Sequence, residues 1–114
     1  MTVSREIKEG LQLQGADEQP VYRLDTSKWS ATPTSPSTPS STSAAIFTVT
    51  DVAGVETYTD VTSTKMSGST SVSGQYISLP TVTSLVAGTL YRVEVKFTLE
   101  GNVLEAYAYI QGER

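Results

Sequence analysis

Tyr91-Arg92-Val93-Glu94-Val95-Lys96-Phe97-Thr98-Leu99, then Glu100-Gly101-Asn102, then Val103-Leu104-Glu105-Ala106-Tyr107-Ala108-Tyr109-Ile110: the reading of this stretch decides the fold. In its first part Tyr91, Val93, Val95, Phe97 and Leu99 alternate with Arg92, Glu94, Lys96 and Thr98. Successive side chains of a strand point to opposite faces, so the alternation describes a strand with one apolar and one wet face. Glu100-Gly101-Asn102 supplies turn chemistry. The return strand sets Leu104, Ala106, Ala108 and Ile110 against Glu105, Tyr107 and Tyr109. Together they make a long hairpin. A lone hairpin is marginal in water, so its apolar face must pack on a second layer.

The upstream chain holds strands able to form that layer. Pro20 to Asp25 reads as a first strand on Val21, Tyr22 and Leu24, and Trp29 follows as an anchor to the core. Ala45 to Thr50 is the next strand, and Asp51 to Gly54 is a turn. Glu56 to Met66 holds one or two short strands around Tyr58 and Val61. The Ser/Gly-rich run Met66 to Gly74 is a turn region, and Gln75 to Leu79 is a strand ended by Pro80. Ser and Thr make up 32 of the 114 residues, which with the Val, Ile and Tyr content favours strands and turns over helices. Six or seven strands in one domain of this length predict an all-β, antiparallel two-layer sandwich over residues 20–112.

Two segments stand apart. Residues 1–19 read as an N-terminal arm. Either Ser4 caps a short helix carrying Val3, Ile7 and Leu11, or the segment is extended with Leu11 and Leu13 turned to one side. Residues 30–43 are a Ser/Thr/Pro-rich loop or linker, with Pro33, Pro36 and Pro39 at the three-residue spacing of a polyproline II turn. Such a composition does not bury enough apolar surface to form core.

Composition narrows the chemistry. The chain has no Cys and no His, which removes disulfides, thiolate nucleophiles, Ser-His-Asp and Cys-His catalysis and the commonest metal ligand. A net charge of −4 argues against a nucleic-acid partner, which requires clustered Lys and Arg. No apolar stretch approaches a membrane span, and Met1 to Gly10 lacks the pattern of a secretory signal, so no membrane partner is expected. Asp51, Glu56 and Asp60 are the nearest cluster of acids, without calcium-loop spacing, and read as solvated charges. Glu9, Asp17 and Glu18 carry no mark of a buried carboxylate pair. No catalytic residue, metal or cofactor is expected, and the protein reads as a non-enzyme. Gly68, Gly74, Gly88, Gly101 and Gly112 read as turns.

Leu85-Val86-Ala87-Gly88-Thr89-Leu90-Tyr91 places a Leu and a Gly turn before a Tyr that opens a strand. It resembles the tyrosine corner of immunoglobulin-like and fibronectin type III sandwiches, in which the phenol packs in the core and its hydroxyl bonds upstream backbone. The plainer reading makes Tyr91 the first inward residue of its strand. Leu85, Gly88, Tyr91 and Trp29 are thus expected to be structural.

A second resemblance spans both ends of the chain. Ser4-Arg5-Glu6-Ile7-Lys8-Glu9-Gly10 with Gln14-Gly15-Ala16-Asp17-Glu18, and Leu85 through Gly88, Tyr91-Arg92-Val93-Glu94-Val95, Phe97-Thr98, Gly101-Asn102 and Glu105-Ala106-Tyr107, resemble small structural proteins of tailed bacteriophages. The resemblance implies a virion component with an immunoglobulin-like fold, made in the host cytoplasm and present in many copies or as a homo-oligomer. Its partner would be the major capsid protein or another virion protein. It implies no active site.

Three functions follow as expectations. The first is a capsid decoration or cement protein whose arm reaches over a neighbouring subunit, so that removing residues 2–19 would leave the sandwich folded. The second is a neck, head–tail or tail component. The third is a carbohydrate-binding adhesion module using Trp29, Tyr107 and Tyr109. The candidate contact residues are Ile7, Leu11 and Leu13 on the arm, with Arg92, Glu94, Lys96, Tyr107 and Tyr109 on the wet face of the hairpin. Tyr and Arg are favoured at interfaces, and the plainer reading of the same face is cross-strand pairing of Tyr107 and Tyr109 on a solvated surface.

Overall fold

A computed structural model describes residues 4–6, 11–15, 20–27 and 38–113, with the backbone alone for 4–6 and 11–13. Trp29, Ile7, Glu9, Asp17, Glu18 and the first part of the Ser/Thr/Pro segment lie outside the described residues. The strands are β1 (Ser4–Glu6), β2 (Leu11–Gly15), β3 (Val21–Asp25), β4 (Ser40–Val52), β5 (Val55–Asp60), β6 (Met66–Ser67), β7 (Ser71–Ser73), β8 (Tyr76–Ser78), β9 (Thr81–Val82), β10 (Leu90–Leu99) and β11 (Asn102–Glu113). One helical turn, α1 (Thr62–Lys65), interrupts them. The protein is all-β.

One sheet has the order β1-β3-β8-β7 and a second the order β2-β11-β10-β4-β5, while β6 and β9 form a small two-stranded piece. The pairing is antiparallel except at two places, β1 beside β3 and β2 beside β11, which are parallel. Both exceptions come from the N-terminal segment, which supplies one strand to each of the two sheets.

The hairpin forms as its alternation predicts. Tyr91, Val93, Val95, Phe97 and Leu99 are each at most 2 % exposed, and Ala106, Ala108 and Ile110 are buried opposite them. The turn is Glu100-Gly101, both with positive φ (52° and 80°), as a two-residue hairpin loop requires. The hairpin's apolar face meets Tyr22, Leu24, Ile77, Leu79, Val82 and Leu85 in one cluster, so the inner faces of both sheets share a core.

Tyr91 is buried, and its hydroxyl accepts a hydrogen bond from the backbone N–H of Val86 at 2.9 Å. This is the upstream bond expected of a corner tyrosine, and it satisfies a phenol that burial would otherwise leave unpaired.

Several sequence-based expectations change. The described parts of residues 1–19 are strands, and they run along the domain's own sheets rather than away from them. Gln14 is fully buried: its amide nitrogen donates to the Val82 carbonyl (3.2 Å) and its amide oxygen accepts from the Tyr22 hydroxyl (2.7 Å). Removing residues 2–19 therefore strips both sheets of a strand and takes away the Gln14 bonds to Tyr22 and Val82, so an intact sandwich is no longer the expected result.

The Ser/Thr/Pro loop ends before residue 43. Ser40–Ser43 already belong to β4, where backbone pairing to Lys96 and Thr98 stabilises a segment without apolar side chains. A bulge sets Ser41 and Thr42 against Phe97, with Ser41 at φ 50°. Val61 heads α1 instead of a strand. Its N–H closes the ladder on Ile46, and its carbonyl takes the N–H of Thr64 and Lys65. The Met66–Gly74 run contains the short strands β6 and β7, and β9 follows Pro80. Gly68, Gly74, Gly88 and Gly101 do sit at positive φ, but Gly112 lies within β11.

Candidate functional site

The outward face of the five-stranded sheet carries a compact group of aromatic and charged side chains. The hairpin register sets Arg92 opposite Tyr109, Glu94 opposite Tyr107 and Lys96 opposite Glu105. On its other side β10 pairs with β4, which puts Phe47 beside Arg92 and Ala45 beside Glu94. The next strand out places Tyr58 opposite Val49 and Asp60 opposite Phe47.

Arg92 is the centre of the group. Its Nε lies 2.8 Å from a Glu94 carboxylate oxygen, and one terminal nitrogen donates to the Tyr109 hydroxyl at 3.2 Å. The guanidinium carbon stands 4.0 Å from the ring centre of Tyr107, 5.3 Å from that of Tyr58 and 5.8 Å from that of Tyr109. Partial burial works against the Arg92 charge, but the bonds to Tyr109 and Glu94 outweigh it, and the guanidinium pKa is raised. A cation among three ring faces is held by their quadrupoles as well as by the carboxylate. The result is a side chain with little rotamer freedom left to lose on binding.

Tyr107 and Tyr109 meet edge to face, ring centres 6.0 Å apart at 84°. Two nearly perpendicular rings give no flat platform for a sugar, and Arg92 covers a face of Tyr107. Tyr107 and Tyr58 remain about half exposed.

Tyr58 donates to Glu56 at 2.7 Å, and its pKa is pushed up to about 12, first by that bond. A raised tyrosine pKa means that the neutral, donating form is stabilised in the folded state. That contribution is present below the ordinary value near 10 and is lost as pH rises through about 12. In an NMR or absorbance titration Tyr58 should ionise near 12. Glu56→Gln should return it toward 10; a Tyr58 midpoint that does not respond would show that the carboxylate is not its partner in solution.

The sequence-derived contact residues fall as follows. Arg92, Glu94, Tyr107 and Tyr109 come together in the group, and Lys96 lies at its margin beside Ser43 and Glu105. Leu11 and Leu13 occupy the register positions beside Tyr109 and Gln111, at the edge of the same sheet. Tyr58, Glu56 and Phe47 were not among the residues expected there. The two-residue turn Ala53-Gly54 sets Tyr58 against Val49, but its place beside Arg92 follows only from the strand order β10-β4-β5.

The acids read as solvated charges each accept a local bond. Asp51 takes the N–H of Gly54, Glu56 the hydroxyl of Tyr58, and Asp60 the N–H of Thr62. The Thr62 bond lowers the Asp60 pKa. Among the described residues no group of three potential metal ligands occurs, and no helix is long and apolar enough to cross a membrane. No protein-family model and no curated protein matches the chain.

Proposed function

We propose that this chain is a structural virion protein of a tailed bacteriophage: an immunoglobulin-like β-sandwich that decorates the head shell in many copies, with the major capsid protein as its partner. The bond from Val86 to the Tyr91 hydroxyl and the core shared by two sheets support the immunoglobulin-like assignment. The resemblance at the two ends of the sequence supports the virion. The observation that carries binding is the Arg92-centred group of Tyr58, Tyr107 and Tyr109 on the outward face of the five-stranded sheet. Interface energy concentrates in Tyr, Trp and Arg anchors whose conformation is already fixed, because little entropy is then lost on association.

Docking by the sheet face replaces docking by a free arm. An arm reaching a neighbour would first have to give up the Gln14 bonds to Tyr22 and Val82.

The test is binding of the purified chain to isolated heads, followed by co-sedimentation and mass measurement. Occupancy on the order of hundreds of copies per particle, tracking the symmetry of the shell, is the expected result. Arg92→Ala and Tyr107→Ala, with the fold checked by circular dichroism, should each weaken it about thirtyfold, as anchors worth about 2 kcal/mol do. Saturation at about six or twelve copies would move the protein to the neck or tail. Glycan binding that depends on Tyr107, with no head binding, would replace the proposal by a carbohydrate module.

A further inference from the structure

We infer that the outer edge of β5 receives an extended basic strand from a partner protein, which adds to the five-stranded sheet as its next strand. This inference does not rest on the virion reading.

The first observation is the shape of the β4–β5 hairpin. β10 pairs with β4 only as far as Thr48, so among the described residues the rest of β4 has β5 as its sole neighbour. From Thr50 to Asp60 every residue is exposed, with Val52 and Val55 each at 63 %. A two-stranded ribbon with both faces in water is marginal, and a third strand stabilises it.

The second is which backbone groups the edge presents. Ala53 and Gly54 both have positive φ (55° and 82°), the signature of a type I′ turn, whose flanking pair Val52–Val55 is hydrogen-bonded. Bonded and non-bonded pairs alternate along an antiparallel ladder. Thr57 and Thr59 therefore bond to β4, as Val61 does to Ile46 at 3.0 Å. Glu56, Tyr58 and Asp60 turn their N–H and C=O groups outward along the sheet edge. The six residues of β5 include no Lys and no Pro, and the pairing has no bulge, so the only guard of this edge strand is the pair of acids Glu56 and Asp60.

The third observation selects the occupant. Two copies of β5 pairing antiparallel through their outward groups must align even-numbered residues with even-numbered ones. The register that matches all three outward residues, centred on Tyr58, sets Glu56 against Asp60 at both ends. Like charges directly opposite are destabilising, so the acids act against self-pairing. The same acids suit a different strand, one with Lys or Arg at the two positions facing Glu56 and Asp60 and a β-branched or aromatic residue between them facing Tyr58. No Lys or Arg occurs from Trp29 to Thr64, while Asp51, Glu56 and Asp60 all lie on the hairpin. Main-chain bonds would supply affinity and the flanking charges specificity.

The probe is the capped peptide Thr-Lys-Thr-Val-Thr-Lys-Thr, with Glu in place of Lys as its control, followed by amide shifts and hydrogen exchange on the full chain. The lysine peptide should slow exchange at Glu56, Tyr58 and Asp60, and the glutamate peptide should not. Glu56→Lys should weaken the lysine peptide about tenfold. The same variant makes the Tyr58-centred register self-complementary, so its sedimentation should shift toward dimer. Glu56→Gln should weaken the peptide less and stay monomeric. Protection absent at those amides, equal protection by both peptides, peptide affinity unchanged in Glu56→Lys, or a wild-type chain that dimerises through β5 would each overturn the inference. Loss of head binding alone leaves these outcomes unaffected, so the two readings fail separately.

Discussion

Gly112→Ala should be one of the most damaging single-methyl additions to this chain, lowering unfolding free energy by about 3 kcal/mol. Gly112 is buried in β11, and a Cβ there would lie 2.2 Å from the Val86 carbonyl oxygen and 3.0 Å from its carbon. The obstacle is backbone, and it is held from several sides. The Tyr91 hydroxyl accepts from the Val86 N–H, the Thr89 N–H binds the Val86 oxygen, and the Gly88 N–H binds the Gly112 oxygen. The Val86–Thr89 loop therefore cannot retreat without losing the bonds that seat Tyr91 in the core. For a domain of this size the loss should lower Tm by about 12 °C. Gly74→Ala is the control, since Gly74 has φ 59° and a Cβ added there would meet nothing within 4 Å. It pays only for a left-handed backbone, about 1 kcal/mol. Equal losses at the two positions would mean that the Val86 loop yields and that the close approach is not a structural constraint.

Gly112 also shows what a sequence conveys and what it withholds. The β10–β11 hairpin was legible residue by residue, because its buried and exposed sides follow from alternation alone and its register from one turn. The burial of Tyr91 and the upstream bond of its hydroxyl were legible because Leu85, Gly88 and Tyr91 lie within one short stretch. Arg92, Tyr107 and Tyr109 followed, since a hairpin register carries side chains across from one strand to the next. Tyr58 did not follow, because it joins them only if β4 lies between β10 and β5, and strand order depends on packing rather than on local pattern. Gly112 looked like the turn glycines for the same reason: the carbonyl it must clear belongs to Val86. The α1 turn has four residues and no apolar period, so it left no trace in the hydrophobic pattern. Gln14 is the sharpest case. A glutamine in a polar segment reads as exposed, and its burial depends on partners 8 and 68 positions away.

That residue carries the second large effect. Gln14→Leu should cost about 3 kcal/mol, because it leaves the Tyr22 hydroxyl and the Val82 carbonyl buried without the partner each has now, and each such loss costs about 1–3 kcal/mol. Tyr22→Phe removes the hydroxyl and the bond it donates to the Gln14 oxygen, at about 1–2 kcal/mol. The double variant should lose less than the sum, by about 1 kcal/mol, since removing both partners of a buried bond abolishes the unmet demand along with the bond. Urea unfolding of the four proteins at constant m closes the cycle. The result bears on assembly as well as stability. If β2 is docked on β11 in solution, its bonds to Tyr22 and Val82 must break before the N-terminal segment can engage a neighbour, and Gln14→Leu would promote that exchange. Stability within about 0.5 kcal/mol of wild type in all three variants would instead show β2 undocked in the isolated chain, and would restore the segment to the role of a free arm.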